Sequence, residues 1–275
     1  DWEVNKVPLF TKFSDEGVEL QVEDFQAVTR SDNGYTLGVV KGRYEPWQNR
    51  RLAEFTDTLV SVDGEAAALG ESFEGRKVWS VVQLPDIDSP DGGLGTFLVV
   101  SNSHDGSSSI SATFVTVRWA CTNGLIALAK AAHTVKIRHT STMEARLAEA
   151  HKVLAVSTTY VEDTTDLMND LLSTPITAKD ADRFVRNSLV ALPDTDNERV
   201  IRNTQKKQDE LLATWANSDN LEGVRDTGWG FVNAVAEWNE WTGSHVRRRR
   251  LDPMERLLNE SGQDIVHQAR DLVLA

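Results

Sequence analysis

The chain has 275 residues and a formal net charge of −13, with 40% hydrophobic and 26% charged residues, a composition typical of one large or two smaller globular domains. The excess of acid argues against a protein that coats nucleic acid indiscriminately, and the sequence has neither a membrane-spanning apolar run nor a signal-peptide pattern. We therefore expect no membrane association. The single Cys121 excludes an internal disulfide, which indicates a protein of the reducing cytoplasm.

Residues 1–95 are predicted to form strands with one helix among them. Apolar alternation indicates the strands, and the Asn33-Gly34 pair is typical of a hairpin turn. Pro46 suits the first turn of a helix whose apolar residues recur at helical spacing. The predicted strands lie at about 1–10, 25–30, 35–41, 66–72 and 76–84, the helix at about 46–60, and a loop rich in Gly and Asp at 86–95.

The stretch from Thr96 to His139 is the centre of the predicted fold. It reads as strand, turn, strand, helix and strand, with the helix beginning at Thr122 or Asn123. The predicted elements are a strand at 96–100, a turn at 102–108, a strand at 109–119, a helix ending near 132 and a strand at 135–139. Strands 77–84 and 96–100 are apolar on both faces, so we expect both faces to be covered.

From Ser141 onward the pattern is helical. Helix-capping signatures occur at 141–144, 177–180 and 195–198, Thr227 opens an apolar Trp-rich helix, and a last helical segment begins at Asp252-Pro253. We interpret the late tryptophans as an intramolecular core rather than a subunit contact. The basic run 247–250 fits either a DNA contact or a helix cap.

These patterns predict an α+β protein with a mainly antiparallel sheet. The predicted domains are an α+β core with the strand-turn-strand-helix unit at 1–140 and an all-helical C-terminal region at 141–275, packed on or beside it.

One interval without acidic residues stands out against the acidic background. From Gly106 to Met143 there is no Asp or Glu, although the chain carries 42 acidic residues. The cations of this interval are Arg118, Lys130, Lys136 and Arg138. Because local charges dominate the field within a Debye length of about 10 Å, we expect a basic surface here that polyanions can reach.

Several segments resemble the phage/plasmid-like protein family. They are DWEVNKVPLF, LGVVKGRYEPWQN, SNSHDGSSSISATFVTVRWACTNG, KIRHTSTMEARLAEA and TGWGFVNAVAEW, and they follow one another over nearly the whole chain. The resembled family is common in phages, prophages and plasmids and is catalogued as a domain of unknown function. Its members usually carry an N-terminal segment with a Trp-His-Gly-Leu-Gly-type motif, so we expect a further segment before Asp1 and a bacterial host.

We interpret the acid-free interval as a binding surface for single-stranded DNA. Lys and Arg side chains hold phosphates, aromatic rings stack on bases, and the start of a helix attracts anions. The predicted nucleic-acid-binding residues are Arg118, Trp119, Asn123, Lys130, Lys136, Arg138 and His139. The order of strands and helix is similar to the core of ring-forming annealing proteins of phage recombination, which suggests a homo-oligomer that anneals DNA. Alternatively, these cations pair with acids of the C-terminal helices and Trp119 belongs to the core.

Two other functions stay open at this point. The first is a non-catalytic interaction or assembly protein of a phage or plasmid. The second is a hydrolase-type enzyme that uses His104, Asp105 and Cys121, although the Ser-rich sequence around His104 is typical of a turn. The Asp-rich loop lacks the ligand spacing of a calcium site and no Cys/His set indicates zinc. We therefore expect no enzyme activity, no cofactor and no metal site.

Overall fold

The computed structural model describes residues 2–12, 17, 19–63, 65–88, 93–118, 134–143, 145–147, 157–242 and 263–275. The chain divides into two compact units. The first unit comprises the described residues within 1–85, 97–114 and 129–158, and the second those within 86–96, 115–128 and 159–275. Antiparallel sheets and a helical C-terminal part are both present, which confirms the predicted α+β class. The division into 1–140 and 141–275 stays a prediction.

A three-stranded sheet lies in the first unit. Its strands are β1 (Val4–Lys12), β2 (Glu19–Arg30) and β3 (Thr36–Lys41), paired in the order β1-β2-β3. The turn between β2 and β3 contains Gly34 at a φ of 71°, a conformation that glycine adopts without strain, and the predicted hairpin is confirmed. One face of the sheet buries apolar side chains, namely Val4, Val28 and Val40.

A five-stranded sheet has the order β4-β5-β6-β7-β8. Its strands are β4 (Glu65–Ser72), β5 (Lys77–Ile87), β6 (Leu94–Ser103), β7 (Ile110–Arg118) and β8 (Thr134–Ile137). Adjacent residues of a strand point to opposite faces, and Val81 and Val82 in β5, like Val99 and Val100 in β6, are all buried. The expectation that these strands are covered on both faces is confirmed.

The first helix, α1 (Asn49–Asp63), begins at Asn49 rather than at the predicted Pro46. The side chain of Gln48 accepts a hydrogen bond from the Val4 N–H at 2.9 Å and donates one to the Val4 carbonyl at 2.8 Å. Gln48 thereby extends the hydrogen bonding of β1 and is held outside the helix.

The second unit is mainly helical. Its elements are α2 (Ser157–Ser173), α3 (Ala178–Phe184) continued by a π-helical turn (Val185–Leu189), α4 (Glu198–Asn217), α5 (Gly228–Glu237) continued by a π-helical turn (Trp238–Thr242), and α6 (Gln263–Leu274). Among the described residues, no helix has both the length and the apolar character that crossing a membrane requires.

Of the helix caps predicted at 177–180, 195–198 and Thr227, two are confirmed, and the signature at 141–144 includes Glu144, which lies outside the described residues. Thr177 and Asp180 form the predicted capping box of α3, and Thr227 caps α5. The predicted cap of α4 at Thr195 is wrong, because Asn197 is the N-cap and its Oδ1 accepts hydrogen bonds from the first free backbone N–H groups.

The core of the second unit is rich in aromatic residues. Trp229 and Phe231 have no exposed surface and Trp238 is buried with them, which confirms the core interpretation for these two tryptophans. The side chain of Trp241, the third of the predicted set, lies outside the described part. The predicted helix at 122–132, the segment from Asp252 and the basic run 247–250 lie outside the described residues.

Candidate functional site

A pocket of about 470 Å³ opens on the surface of the first unit. Three stretches that are far apart in sequence form it: the end of β3 and the loop after it, the Ser-rich turn between β6 and β7, and the residues that follow β8. The lining residues are Val39, Val40, Lys41, Arg43, Tyr44, Asp105, Gly106, Ser107, Ser108, Ser109, Arg138, His139 and Thr140. The pocket combines cations, hydroxyls, backbone groups and aromatic rings.

Three cations dominate the charge of this pocket. Lys41, Arg43 and Arg138 are all exposed, and no carboxylate among the described residues lies within the 4.0 Å of an ion pair with any of them. Asp105 is the one acidic lining residue, so the lining carries a formal excess of two positive charges. Such an arrangement is suited to an anion with several oxygen atoms.

Hydrogen bonds between the loop after β3 and the residues after β8 bring these cations together. The Glu45 N–H donates to the His139 carbonyl at 3.2 Å, and the His139 Nδ1–H donates to the Glu45 carbonyl at 3.1 Å. The Lys6 ammonium donates to the Tyr44 carbonyl at 2.8 Å and thereby ties the same loop to β1. These hydrogen bonds therefore hold the backbone segments that carry Arg43 and Arg138 next to each other.

The rings of Tyr44 and His139 are stacked, with centroids 4.6 Å apart and planes inclined by 26°. The Tyr44 hydroxyl donates to the Ser103 carbonyl at 2.7 Å, and burial, together with the charge of Asp105, raises the pKa of Tyr44. Burial lowers the pKa of His139, and its hydrogen bond to the Glu45 carbonyl opposes that shift only in part. His139 is therefore neutral at physiological pH, and its Nε2 atom is buried without a hydrogen-bond partner among the described residues.

The Ser-rich turn is held in place by Asp105. Its Oδ1 atom accepts hydrogen bonds from the Ser103 hydroxyl at 2.5 Å and the Ser107 N–H at 2.8 Å. Burial favours the protonated carboxyl, but these hydrogen bonds outweigh burial and the pKa of Asp105 is lowered. Gly106, at a φ of 74°, completes the turn. The Asp105 carboxylate therefore stabilises the turn, in which residues 106–108 are exposed to solvent.

Beneath this turn His104 is buried in a network of amide side chains. Its Nε2–H donates to Asn49 Oδ1 at 2.8 Å, and the Asn102 amide nitrogen faces Nδ1 at 3.5 Å. Both amides are oriented by donating to backbone carbonyls, those of Trp2 and Trp47. Burial, together with the smaller effect of the neighbouring His139, lowers the pKa of His104 to about 3. His104 is thus a neutral residue that links the turn to the start of α1.

Comparison with known proteins identifies the family. The family model described as a domain of unknown function (DUF932) matches residues 36–261, more than half of the chain. The chain belongs to the DUF932 family. No curated protein and no solved structure was found to match it. Every residue that lines the pocket falls within the matched region, and the resemblance to a family of unknown function is confirmed.

Two of the predicted site residues of this DUF932 chain, Arg138 and His139, line the pocket. Lys136 lies on β8 nearby in sequence, where it is exposed and interacts with another group. Arg118 ends β7, and its side chain is outside the described part. The other predicted residues, Trp119, Asn123 and Lys130, lie outside the described residues, as does Cys121.

The sequence analysis missed Lys41 and Arg43. Both precede the acid-free interval, and only the pairing of residue 45 with residue 139 brings them to Arg138. A signal was nevertheless present, since two cations flank Gly42 at the end of the second strand of the predicted hairpin.

Proposed function

We propose that the protein binds single-stranded DNA and that its cationic pocket holds phosphates of the strand. One observation carries the proposal: Lys41, Arg43 and Arg138 surround one pocket, and no carboxylate of the described residues pairs with them. Elsewhere in the described residues several cations pair with a carboxylate, as Arg183 does with Asp180 at 3.1 Å. Cations that are left exposed and unpaired around one concave surface are the pattern that a polyanion requires.

The remaining lining groups favour phosphate as the anion. The turn from Gly106 to Ser109 contributes serine hydroxyls to the lining, and hydroxyls are common phosphate ligands in protein–DNA complexes. Lysine and arginine supply the charge, and arginine adds paired donors that match two phosphate oxygens. The overall charge of −13 does not oppose such a contact, because salt screens charges beyond about 10 Å.

A single strand suits this protein better than a duplex. Duplex DNA carries one negative charge for about each 1.7 Å of its axis, so the three cations of one pocket would neutralise only a small part of its charge. Three cations provide a short contact with one backbone and leave the bases available for pairing. We extend this proposal to the annealing of DNA by a homo-oligomer in the cytoplasm of a bacterial host. Sizing the protein with and without DNA tests the oligomer.

The test of DNA binding is the salt dependence of affinity for a fluorescent oligothymidylate. Three phosphate contacts predict a slope of log affinity against log salt of about −2, since each contact on a single strand contributes about −0.7. Arg138→Glu is expected to weaken binding by at least about tenfold, because it removes one charged hydrogen-bond donor and adds repulsion. Fluorescence anisotropy at several salt concentrations measures both quantities.

The matched control is Arg50→Glu, which makes the same change in net charge. Arg50 is exposed on α1, pairs with Glu54 at 3.2 Å and does not line the pocket. We expect its affinity to stay within about twofold of the unmodified protein. Equal losses in both variants, or binding that does not depend on salt, would contradict the assignment of the pocket.

A further inference from the structure

The three-stranded sheet has an outer face that is apolar and exposed. Directly paired residues of neighbouring strands point to the same face, and Val7 pairs with Ala27, which in turn pairs with Val39. Phe25 lies two residues before Ala27 on β2 and pairs with Lys41, so it shares this face. Val7, Phe25 and Val39 are 37%, 38% and 49% exposed. Ala27, which lies between Val7 and Val39, is only 7% exposed. We call these residues, with Ala27 and the exposed Lys41, the outer face.

The three-stranded sheet has a packed core on its opposite face, so the lack of a core does not explain why the outer face is exposed. Val28 and Val40, on the opposite face, are fully or almost fully buried, so the sheet already has a packed side. A sheet with one packed side normally carries polar residues on the other, and Thr36 and Asn5 follow that rule at one end of the outer face. An aromatic ring and two valines at the other end therefore indicate a surface that contacts a partner.

The outer face is continuous with the cationic pocket. Val39 and Lys41 belong to both, and Arg43 follows Lys41 by two residues. An apolar aromatic surface next to unpaired cations matches a molecule that carries flat apolar rings on an anionic chain. A single strand of nucleic acid is such a molecule.

We infer that bases of the bound strand stack on the outer face, at Phe25, while the adjacent phosphates lie in the cationic pocket. This inference rests on the proposed function. It adds that the protein contacts the bases of the strand as well as its phosphates. Phe25 contacts the base, Lys41 lies directly across from it on β3, and Val39 supplies an apolar edge towards the pocket. Charge favours a polyanion as the partner, because the outer face carries Lys41 and adjoins Arg43 and Arg138 of the cationic pocket.

The experiment compares two ligands and three variants. The ligands are an oligothymidylate and an abasic deoxyribose-phosphate strand of the same length, both at low salt. The unmodified protein is expected to bind the oligothymidylate more tightly by about 5- to 150-fold for each stacked base. Phe25→Leu should remove most of that difference and leave affinity for the abasic strand unchanged. Phe25→Tyr should retain the difference, because it keeps an aromatic ring.

Leu69→Ala is the matched control, since Leu69 is 60% exposed on β4, in the other sheet of the same unit. It should change neither affinity. Thermal unfolding of each variant checks that the fold is kept. Ultraviolet cross-linking of the unmodified protein to the oligothymidylate, followed by mass spectrometry, should place a thymine on Phe25 and needs no substitution.

The outcomes separate the inference from the proposed function. Equal affinity for the two strands, with salt dependence retained, would overturn base stacking and leave the phosphate pocket in place. Absence of binding to either strand would overturn both. A change of oligomeric state in Phe25→Leu, with oligothymidylate affinity unaltered, would show that the outer face is an interface between copies.

Discussion

Both units of the chain have an apolar core, but the first unit also buries a cluster of polar side chains beneath the cationic pocket. In the second unit Trp229, Phe231 and Leu211 are fully buried in one continuous apolar cluster. In the first unit, the residues buried beneath the cationic pocket include His104 and Asn102, which we call the polar interior. His104 donates to Asn49 at 2.8 Å, and the Asn102 amide nitrogen lies 3.5 Å from the His104 Nδ1 atom. An apolar core is stabilised by its contact area, whereas buried polar groups contribute to stability through hydrogen bonds of defined direction.

This difference indicates where the chain requires exact geometry. The hydrogen bonds of His104 fix the turn that presents Gly106 and the serines to the pocket. Positioning of this kind is useful where a ligand must be met by several groups at once. The Trp-rich core of the second unit does not depend on such positioning and contributes mainly to stability.

The largest expected effect tests the apolar side of this comparison. Trp229→Ala removes a fully buried indole, and a loss of about 3 to 5 kcal/mol in the free energy of unfolding is expected from lost burial and the cavity left behind. Urea unfolding followed by circular dichroism measures this loss. Leu192→Ala, an exposed position in the same unit, should change stability by no more than about 0.5 kcal/mol. Similar losses at the two positions would contradict a core centred on Trp229.

The second prediction tests the polar interior through pH. Because burial lowers the pKa of His104 from 6.5 to about 3, the folded state binds fewer protons than the unfolded state between these values. The stability contributed by neutral His104 is therefore complete above about pH 6.5 and falls as pH decreases, by about 1.4 kcal/mol per pH unit. The lowered pKa of His139 acts in the same direction.

Urea unfolding at about pH 7 and about pH 5 measures this dependence. His104→Gln keeps a donor for Asn49 but cannot titrate, so its stability should be lower at neutral pH and vary less with acidification. An equal pH dependence in the variant and the unmodified protein would assign the effect to other groups.

Local signals in the sequence account for much of the fold. The hairpin follows from Asn33-Gly34, and the start of α3 from the Thr177 capping box, because both depend only on neighbours in sequence. The start of α1 and the cap of α4 were misplaced. In α1 the competing partner of Gln48 is a strand more than 40 residues away, and in α4 Thr195 and Asn197 are both competent caps.

The candidate site was predictable only in part, for the same reason. Counting charges along the chain identified Arg138, but the pocket is completed by Lys41 and Arg43, which lie outside the acid-free interval. Their proximity depends on the hydrogen bonds between Glu45 and His139, a long-range contact with no signature in either segment. His139 was predicted to stack on a base, and in the structure its ring stacks on Tyr44.

The smallest expected effect tests how closely the polar turn is fitted to the sheet. A Cβ atom on Gly38 would come within 2.7 Å of the Asp105 Cα and 2.9 Å of the Asp105 carbonyl oxygen, and both are backbone atoms that cannot rotate away. Gly38→Ala must therefore separate β3 from the turn, at an expected cost of about 1 to 3 kcal/mol. It should also weaken oligonucleotide binding, because Lys41 and Ser107 lie on the two segments that move apart.

Gly42→Ala is the control for this substitution. It lies on the same loop, its φ is not in the left-handed region, and a Cβ atom there would meet nothing within 4 Å. Alanine at position 42 should leave both stability and binding within experimental error, or raise stability slightly by restricting the unfolded chain. If Gly38→Ala lowered stability but left affinity intact, the spacing between β3 and the turn would matter for folding alone. Ligand binding would then depend on the cations themselves and not on the exact fit of the turn.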